Sequence, residues 1–516
     1  MDQTGREPHA EESRGRVPVT EGETGAGAAD QRISAAAEPP ATVRRRWIGL
    51  GLGVVLALAA FLALPDSLSP AGRGTAAVAV LMAVWWMTEA IPLPATALVP
   101  LVLFPALGIA EVGDAASPYA NDVIFLFMGG FMLALAMQRW NLHRRLALAT
   151  VLAVGTSPRR LVGGFMLATG FISMWVSNTA TAVMMLPIGL SVLGLVRQLG
   201  KGEGDSNFGT SLMLGIAYAA SIGSLGTIIG TPPNTLMVGY LRDSHDIHIG
   251  FGQWMLVGVP LAVVFMLLAW LVLTRFVFPP RIRNIPGGRE LIRRELAALG
   301  PVSRAEWMVL AVFVLAALSW IFLPLVTGAS NIDAVIAMAV AVILFVLPVA
   351  PRKGVAVLDW QTAKEIPWGV LLLFGGGLSL SSQFSATGLS EWIGEQVAGV
   401  GAIPVVLLVA GVTVLVLALT ELTSNTATAA TFLPIMGGVA LGLGLDVMTL
   451  AIPVALAATC AFMLPVATPP NAIAFGSGYV RIGQMVRAGL WLNLIAIVLI
   501  TLTMYGLVGW VFGLSL

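Results

Sequence analysis

The feature that most restricts this chain is its shortage of charged residues over a long sequence. Only 11% of the 516 residues are charged and 57% are hydrophobic, with a mean hydropathy of +0.89. A soluble globular protein has about 25% charged residues. So few charges cannot cover a water-soluble surface of this size, and the lipid bilayer must therefore be the solvent for most of the chain. The net charge of +1 gives no indication of nucleic-acid binding.

The first 46 residues differ from the rest of the chain. They are rich in Glu, Gly, Ala, Pro and Arg and lack apolar periodicity, which predicts a disordered tail. The first apolar segment begins too late for a signal peptide. It starts at Trp47, directly after the basic triplet Arg44–Arg46. Basic residues beside a first span favour a cytoplasmic amino terminus.

The long apolar segments predict an all-α polytopic membrane protein with about eleven transmembrane helices. We place these helices at residues 47–64, 74–91, 94–110, 122–138, 208–240, 254–278, 307–326, 333–350, 367–385, 450–480 and 489–515. Two further apolar stretches, 160–197 and 404–444, are too long for one straight span and have a polar triplet at the middle. We interpret each as a re-entrant helical hairpin that returns to the side it entered from, with its tip covered by protein or water.

The basic residues support one orientation of this layout. With the amino terminus inside, 22 of the 28 Lys and Arg residues fall in predicted cytoplasmic segments, and four lie in the tail. Only Arg73 and Arg242 fall outside. This distribution follows the positive-inside rule and places the carboxyl terminus outside, in a multi-pass protein of the cell inner membrane. Residues 279–306 form a basic cytoplasmic linker between the two halves.

Two motifs recur in the same order in both halves. Val176–Ile188 reads VSNTATAVMMLPI and Thr423–Ile435 reads TSNTATAATFLPI, with nine of 13 positions identical. Further along, GTPPNTLMVG begins at Gly230 and ATPPNAIAFG begins at Ala467. The first repeat unit begins outside and the second begins inside, so the repeats are inverted. Inverted repeats that meet at broken helices are typical of secondary transporters.

The Ser-Asn-Thr tips have the chemistry of a combined cation and anion site. The helix before each tip ends with unpaired carbonyl groups, and the helix after it begins with unpaired N–H groups. The carbonyl end attracts a cation and the N–H end an anion. An asparagine amide can face both ligands because it has an acceptor and two donors. Neutral oxygen ligands of this kind suit Na⁺ better than a transition metal.

The Thr-Pro-Pro-Asn motifs are expected to break the spans that contain them. Two successive prolines remove two backbone donors, which frees carbonyls and makes the Thr and Asn side chains available as ligands. Polar residues and proline kinks also serve as ordinary packing contacts between membrane helices. The occurrence of both motifs twice, in mirror-related places, favours a binding site over packing.

The chain resembles the divalent anion:sodium symporter family, which contains di- and tricarboxylate and sulfate carriers. The resemblance rests on WMTEAIPLPATALVPLVLFPALGI from Trp86, FLFMGG from Phe125, both Ser-Asn-Thr tips and LPVATPPNAIAFGSG from Leu464. It implies a homodimer in which a scaffold holds a transport domain that moves like an elevator. The scaffold would comprise residues 47–138 and 307–385, and the transport domain residues 139–278 and 386–516.

The resemblance also implies particular ligands for two or more Na⁺ ions and for a C4-dicarboxylate such as succinate, malate or fumarate. One sodium site would consist of Ser173, Ser177, Asn178 and the backbone near Gly230. The other would consist of Thr420, the Thr423 carbonyl, Asn425 and the Ala467 carbonyl. The substrate carboxylates would meet Asn178, Thr179, Asn425, Thr426, Thr468 and Pro469.

Other functions remain open at the level of sequence. A sodium-independent carboxylate exchanger is the main rival, although the predicted site residues include no fixed cation. A tricarboxylate or sulfate carrier and an anion channel are further alternatives. No nucleophile with a base and no metal motif indicates an enzyme. Glu421, near the second tip, is expected either to add charge near a sodium site, to relay a proton, or to hydrogen-bond within the hairpin. The run Asp243–His248 resembles a metal cluster, but we expect a solvated external loop.

Overall fold

A computed structural model describes residues 40–155, 157–199, 205–282, 284–285, 287–328, 332–398 and 403–514. Most of the predicted tail, residues 1–39, therefore lies outside the described residues. The first helix begins at Pro40, seven residues before the predicted start at Trp47. The basic triplet Arg44–Arg46 is thus part of this helix, since Pro is well tolerated in a first helical turn and Arg is a good helix former.

Helices account for nearly all regular structure of the first half. Its helices are α1 (Pro40–Ala63), α2 (Pro70–Thr88), α3 (Leu93–Thr96), α4 (Val99–Ala106), α5 (Val112–Ala116), α6 (Asp122–Arg139), α7 (Leu142–Val154), α8 (Pro158–Ser173), α9 (Asn178–Leu199), α10 (Ser206–Ser224), α11 (Pro232–His245) and α12 (Phe251–Leu271). A 3₁₀ turn, Ile228–Gly230, lies between α10 and α11, and a π-helical turn, Val272–Val277, extends α12.

The second half repeats this alternation of long and interrupted helices. Its helices are α13 (Gly288–Ala298), α14 (Arg304–Thr327), α15 (Asp333–Val346), α16 (Trp360–Ala363), α17 (Trp368–Ala386), α18 (Leu389–Ala398), α19 (Val405–Thr420), α20 (Asn425–Gly442), α21 (Met448–Thr459), α22 (Pro469–Gly476), α23 (Ile482–Thr503) and α24 (Gly509–Phe512). The turn Met504–Val508 between α23 and α24 is π-helical.

One small element departs from the all-α prediction. Strands β1 (Pro348–Ala350) and β2 (Val355–Ala356) pair antiparallel after α15. The connection between them turns at Gly354, whose φ of 66° is readily available to glycine. This hairpin ends the apolar segment predicted at 333–350, so the helix itself stops at Val346.

Seven helical stretches among the described residues are long and apolar enough to cross a membrane. Six overlap predicted single spans, with ends that differ by up to ten residues: Val43–Ala63, Val112–Arg139, Phe251–Val277, Arg304–Thr327, Trp368–Ala386 and Ile482–Phe512. The seventh, Asn178–Gln198, is one arm of the first predicted hairpin. The spans predicted at 94–110, 333–350 and 450–480 contain shorter apolar helices. Length and composition thus support a multi-pass helical protein, while the number of spans remains a prediction.

Both Thr-Pro-Pro-Asn segments interrupt helical structure at the predicted place. Helix α10 ends at Ser224 and α11 starts at Pro232; α21 ends at Thr459 and α22 starts at Pro469. In each case the first two positions of the new helix are prolines, which tolerate the N-terminal turn but cannot continue a preceding helix. The interruptions therefore follow directly from the motif.

The linker between the halves contains a helix that the sequence reading missed. Helix α13 buries Ile292 and exposes Arg289 and Arg294. Just beyond it, Arg145 on α7 donates to Glu306 on α14 and to the carbonyls at Leu299, Gly300 and Pro301. This contact fastens the carboxyl end of the linker to α7, and α14 begins at a capping box formed by Ser303 and Glu306.

Candidate functional site

A cavity of about 1100 Å³ lies where the two hairpin tips meet the two helix breaks. The tips contribute Ser177–Ala180 and Leu422–Thr426, and the breaks contribute Ile229–Pro232 and Pro465–Pro470. Each repeat thus supplies one tip and one break to the same space. The two copies of the motif pair, which are about 240 residues apart in the sequence, therefore meet in a single site.

The first tip holds a compact group of oxygens. Helix α8 ends at Ser173, whose buried Oγ lies 2.6 Å from Asn178 Oδ1 and 2.6 Å from the carbonyl oxygen of Ala220 on α10. The other side of the Asn178 amide donates to Ser224 Oγ over 3.3 Å. The asparagine is therefore held by α8 on one side and α10 on the other, with its oxygen facing inward.

The second tip repeats this arrangement with different residues. The buried Oγ1 of Thr420 lies 2.7 Å from Asn425 Oδ1 and 2.8 Å from the carbonyl oxygen of Ala458 on α21. Thr420 corresponds to Ser173 and Asn425 to Asn178 in the repeat, and the carbonyl of Ala458 makes the contact that the carbonyl of Ala220 makes in the first half, one residue beyond its sequence equivalent Ala457. The shared geometry indicates that the repeat preserves this three-oxygen group and not merely the sequence letters.

Each group contains more acceptors than protons. A serine or threonine hydroxyl has a single proton, so it can satisfy either the asparagine oxygen or the backbone carbonyl, but not both. A hard cation placed among these oxygens would balance the remaining lone pairs. We call the two groups the first cage (Ser173, Asn178, Ala220) and the second cage (Thr420, Asn425, Ala458).

The asparagines of the helix breaks were expected to bind ligands, but their amide nitrogens donate to carbonyls of their own loops. Asn234 donates to the carbonyls of Leu225 and Thr227, and Asn471 donates to those of Ala461 and Leu464. The amide nitrogens therefore hold the two loops together, while the side-chain oxygens Oδ1 of Asn234 and Asn471 are buried and accept no hydrogen bond from the described residues. Buried carbonyls left by a broken helix need such partners.

The backbone N–H groups that are free to face an anion lie chiefly at the hairpin tips. The first two residues of α11 and of α22 are prolines, which have no N–H, and the Asn471 N–H is taken by Thr468 Oγ1 at 3.3 Å. Because Thr468 Oγ1 accepts that bond, its own proton remains available for a ligand in the cavity. Helices α9 and α20 begin at the tips without proline, so their first N–H groups can face an anion.

Twelve residues were predicted as ligands, and the structure brings them to one place. Ten of them line the cavity: Ser177, Asn178, Thr179, Gly230, Thr423, Asn425, Thr426, Ala467, Thr468 and Pro469. The other two, Ser173 and Thr420, lie behind the tips and contact the cavity through the asparagines. The proximity of these residues is a fact of the fold, and their individual roles remain predictions.

The opposite wall of the cavity was not predicted as part of the site. It includes Phe127, Phe131 and Gln138 from α6 and Val370 and Leu373 from α17. These residues fall in the predicted scaffold. The sequence signal that could have located the α6 residues is the FLFMGG segment, which begins at Phe125 in the first turn of α6.

Charged residues of the cavity lie at its mouth. Arg45 on α1 forms an ion pair with Glu89 at 2.6 Å, and both side chains are about half exposed. Glu365 lines the same region. Among the described residues that line the cavity, Arg45 is the only basic one, and it is already paired. The tips themselves present neutral groups.

Glu421 does not line the cavity, although it follows Thr420 directly. Its carboxylate accepts hydrogen bonds from the backbone N–H groups of Phe462, Met463 and Leu464 and from the Asn493 amide. It therefore joins the second hairpin to the loop after α21 and to α23. The sequence analysis considered hydrogen bonds of Glu421 within the hairpin, but its partners lie outside the hairpin.

The acidic and histidine-containing run after Tyr240 is not a free loop. Residues up to His245 belong to α11, where Asn121 donates to Asp243 over 2.7 Å and His245 contacts the Tyr240 hydroxyl. Within the described part of the chain, no group of three His, Cys, Asp or Glu residues could hold a metal ion. The run packs the carboxyl-terminal end of α11 against the start of α6.

Comparison with known proteins gives a consistent set of relatives. Residues 44–514 match the family described as sodium:sulfate symporter transmembrane region. The sodium-dependent dicarboxylate transporter SdcS of Staphylococcus saprophyticus is 44% identical over 479 residues, covering 91% of this chain and 92% of the relative. The protein of the same name from Staphylococcus aureus is 43% identical over 480 residues, with the same coverage.

Solved structures that resemble this fold are also transporters. The Alcanivorax borkumensis YdaH transporter aligns with a TM-score of 0.55 and 17% identity, covering 84% of this chain and 98% of that one. MtrF of Neisseria gonorrhoeae aligns with a TM-score of 0.52 and 11% identity, covering 80% and 86%. At these identities the likeness concerns the fold alone.

Proposed function

Because the chain belongs to the sodium:sulfate symporter family, we propose that it is a secondary active transporter that carries C4-dicarboxylates together with sodium ions. The close similarity to the sodium-dependent dicarboxylate transporters SdcS over 91% of the chain supports this substrate and this ion. The substrate class comprises succinate, malate and fumarate. No chemical step is required of the protein, which acts as a carrier and not as an enzyme.

The observation that carries the proposal is the pair of matching cages on either side of one cavity. Each cage has an excess of neutral oxygen acceptors, and each adjoins a helix that begins at the tip. A sodium ion in each cage would place two positive charges beside a dianion. Because moving a charged group into a low-dielectric medium is costly, cancelling the substrate charge lowers the cost of transport.

Ligand roles follow from this arrangement. Asn178 and Asn425 each turn the side-chain oxygen to a cage and also line the cavity, so each would link ion and substrate. Thr179 and Thr426 follow them at the helix starts, and Thr468 beside Pro469 offers a hydroxyl proton. The carbonyls at Gly230, Thr423 and Ala467 and the Ser177 hydroxyl would complete the sodium ligands.

The neutral tips favour sodium coupling over the rival functions. An exchanger that works without sodium needs another source of positive charge, and the basic residue of the described lining, Arg45, is paired with Glu89 at the mouth. A tricarboxylate or sulfate carrier would use the same cages. An anion channel would gain nothing from two cation sites built into its anion site.

We further propose an elevator mechanism in a homodimer. The cavity lies between the tips and the wall formed by α6 and α17, which is where a transport domain (139–278 and 386–516) would meet a scaffold (47–138 and 307–385). Arg45 and Glu365 line the cavity and belong to predicted cytoplasmic segments, which supports an inward-facing conformation. The orientation proposed for the inner membrane has the amino terminus inside and the carboxyl terminus outside.

Uptake of radiolabelled succinate into proteoliposomes tests the proposed function. An inward sodium gradient should drive accumulation well above equilibrium, and uptake should rise steeply with external sodium because two or more ions accompany each substrate. Replacing sodium by choline or potassium should reduce uptake to that of protein-free liposomes. Full activity without sodium would refute symport and favour the exchanger.

A further inference from the structure

The second cage has a charged neighbour that the first cage lacks. Glu421 is 5% exposed and follows the cage residue Thr420 in sequence. Within the described residues, no ion pair involves Glu421. A buried acidic group in a membrane protein is costly, so its presence indicates a function or a compensating set of contacts.

Among the described residues, all hydrogen-bonding partners of the Glu421 carboxylate are N–H donors. Oε1 accepts from the N–H of Phe462 at 2.8 Å and from Asn493 Nδ2 at 2.8 Å, and Oε2 accepts from the N–H of Leu464 at 3.2 Å. The Met463 N–H lies 3.0 Å from both oxygens. A carboxylate accepts such bonds, whereas a carboxylic acid must donate one. The surroundings therefore suit a fixed negative charge, and they argue against a proton relay.

The position of this charge is set by the second cage. The loop that binds Glu421 lies between Ala458, whose carbonyl belongs to the cage, and Ala467, whose carbonyl is a predicted sodium ligand. Thr420 precedes Glu421, so their Cα atoms are about 3.8 Å apart. The carboxylate therefore adjoins the second cage through both chain segments that form it.

The equivalent position in the first repeat is neutral. Met174 follows Ser173 as Glu421 follows Thr420. Its side chain packs against Gly226, where an added Cβ would lie 2.9 Å from the Met174 Cε. Gly226 corresponds to Met463 through the 237-residue offset of the helix breaks. The contact between tip and loop is thus apolar in the first half, whereas in the second half it consists of hydrogen bonds to a carboxylate.

From this difference we infer that Glu421 makes the second cage the tighter sodium site and therefore the first to fill. This inference rests on the proposed sodium coupling and specifies the order of ion binding. At a separation of roughly 8 Å and an effective dielectric constant of about 20, a full charge changes the affinity for a monovalent cation by at least about tenfold. The first cage depends on neutral oxygens alone and fills at higher sodium, together with the substrate.

Three variants separate charge from position. Glu421→Gln keeps the length of the side chain and removes its charge; Glu421→Asp keeps the charge and shortens the reach to the loop. Met174→Gln is the matched control, because it places the same amide beside the other tip. Sodium binding is measured on purified protein without succinate. We expect at least about a tenfold loss of sodium affinity for Glu421→Gln, a clearly smaller loss for Glu421→Asp, and parental affinity for Met174→Gln.

Parental sodium affinity in Glu421→Gln would overturn the inference. Equal losses in Glu421→Gln and Glu421→Asp would also overturn it, because the carboxylate would then serve only to position the loop. If the parent protein itself shows no sodium binding and no sodium-driven uptake, the proposed function is wrong. This outcome differs from the two above, which refute only the role of Glu421.

A second measurement leaves Glu421 intact and so does not depend on the folding of its variants. A ligand that binds the native state raises the melting temperature, and the effect at a given concentration is larger the tighter the ligand binds. At low sodium without succinate, Thr420→Ala should need about fivefold more sodium than the parent for the same stabilisation, while Ser173→Ala should respond to sodium like the parent. The reverse pattern, or equal losses in both variants, would show that the second cage is not the tighter site.

Discussion

The two repeats use the same oxygens at their tips but hold them in place differently. In both, a hydroxyl one turn before the tip contacts an asparagine oxygen and a carbonyl of the neighbouring broken helix. The supports behind these groups differ: Met174 stands where the other half has Glu421. The repeat has therefore preserved the groups that can touch a ligand and allowed the rest to diverge.

The loops after the first segments of the broken helices show the same divergence. In the first half, the N–H groups of Leu225 and Gly226 pair with carbonyls at Ile222 and Gly223 in a tight local turn. In the second half, the corresponding N–H groups bind the Glu421 carboxylate. Buried donors need partners in either case, but only the second solution adds a charge. Equal ligand geometry therefore does not imply equal affinity.

The largest expected effect concerns a substrate that engages only one half. If each repeat binds one carboxylate, propionate leaves one set of donors without a partner. A hydrogen bond to a charged group contributes about 1.5–3 kcal/mol, so losing two of them weakens competition by at least about 100-fold. We expect succinate to compete well against radiolabelled succinate and propionate to compete hardly at all. Equal inhibition by the two acids would show that the halves do not bind one carboxylate each.

Alanine at either tip asparagine should have the next largest effect. Asn178→Ala and Asn425→Ala each leave buried partners without a hydrogen bond, which costs roughly 1–3 kcal/mol, or roughly 5- to 150-fold in affinity. Sodium and succinate affinity should fall together, because binding linkage is reciprocal. Equilibrium binding to purified protein measures both.

A matched control for the tip variants lies on the same helix as Asn178. Ser191 is exposed and its hydroxyl bonds only to the carbonyl of Pro187. Ser191→Ala should bind and transport like the parent. If folded Asn178→Ala and Asn425→Ala proteins also behave like the parent, the tips are packing contacts and the site assignment is wrong.

A pair of reciprocal substitutions at the helix breaks sharpens the comparison. Gly230 corresponds to Ala467, but a Cβ at Gly230 would lie 2.2 Å from the backbone oxygen of Ser224. Forcing this contact costs about 1–3 kcal/mol, so Gly230→Ala should lower succinate affinity about tenfold. Ala467→Gly should change it less than about twofold. Equal effects in uptake assays would mean that the two breaks are packed alike.

The smallest expected effects come from the cage hydroxyls. Ser173→Ala and Thr420→Ala each remove one hydroxyl, a loss of about 1 kcal/mol or about fivefold in the sodium affinity of that cage. Maximal uptake at saturating sodium should be nearly unchanged, because the asparagines remain. Sodium titration of succinate uptake checks this. A loss of maximal rate at unchanged sodium affinity would show that the hydroxyls serve transport steps and not ion binding.

Much of this architecture was predictable, because hydropathy indicates membrane helices and the identical residues of the two halves indicate the repeat. The interruptions at Pro232 and Pro469 followed from proline chemistry, and the meeting of both tips followed from their mirror-related positions. Short helices were harder to place. Helix α13 is amphipathic and lies in a basic linker, so it gives no membrane signal, and Arg145 holds its far end through contacts with residues more than 150 positions away.

The contacts of individual polar side chains could not be read from the motifs. Asn234 and Asn471 looked like ligands, but each donates to carbonyls of its own loop, because a broken helix leaves such groups unsatisfied. The cavity wall from α6 and α17 depends on tertiary packing of apolar residues that no periodicity distinguishes from ordinary core. The positions of the motifs thus predicted where the candidate site lies. Which polar atoms face the cavity depends on tertiary contacts that the motifs do not contain.

The ratio of sodium to succinate transported tests the central claim most directly, namely that each half contributes a cation site to one shared substrate site. Proteoliposomes containing the parent protein would be given radiolabelled sodium and succinate, and the reversal potential of succinate flux would be measured at fixed gradients. The account predicts two or more sodium ions per succinate, and therefore a flux that responds more steeply to the sodium gradient than to the succinate gradient. A ratio of one, or sodium flux independent of succinate, would contradict it.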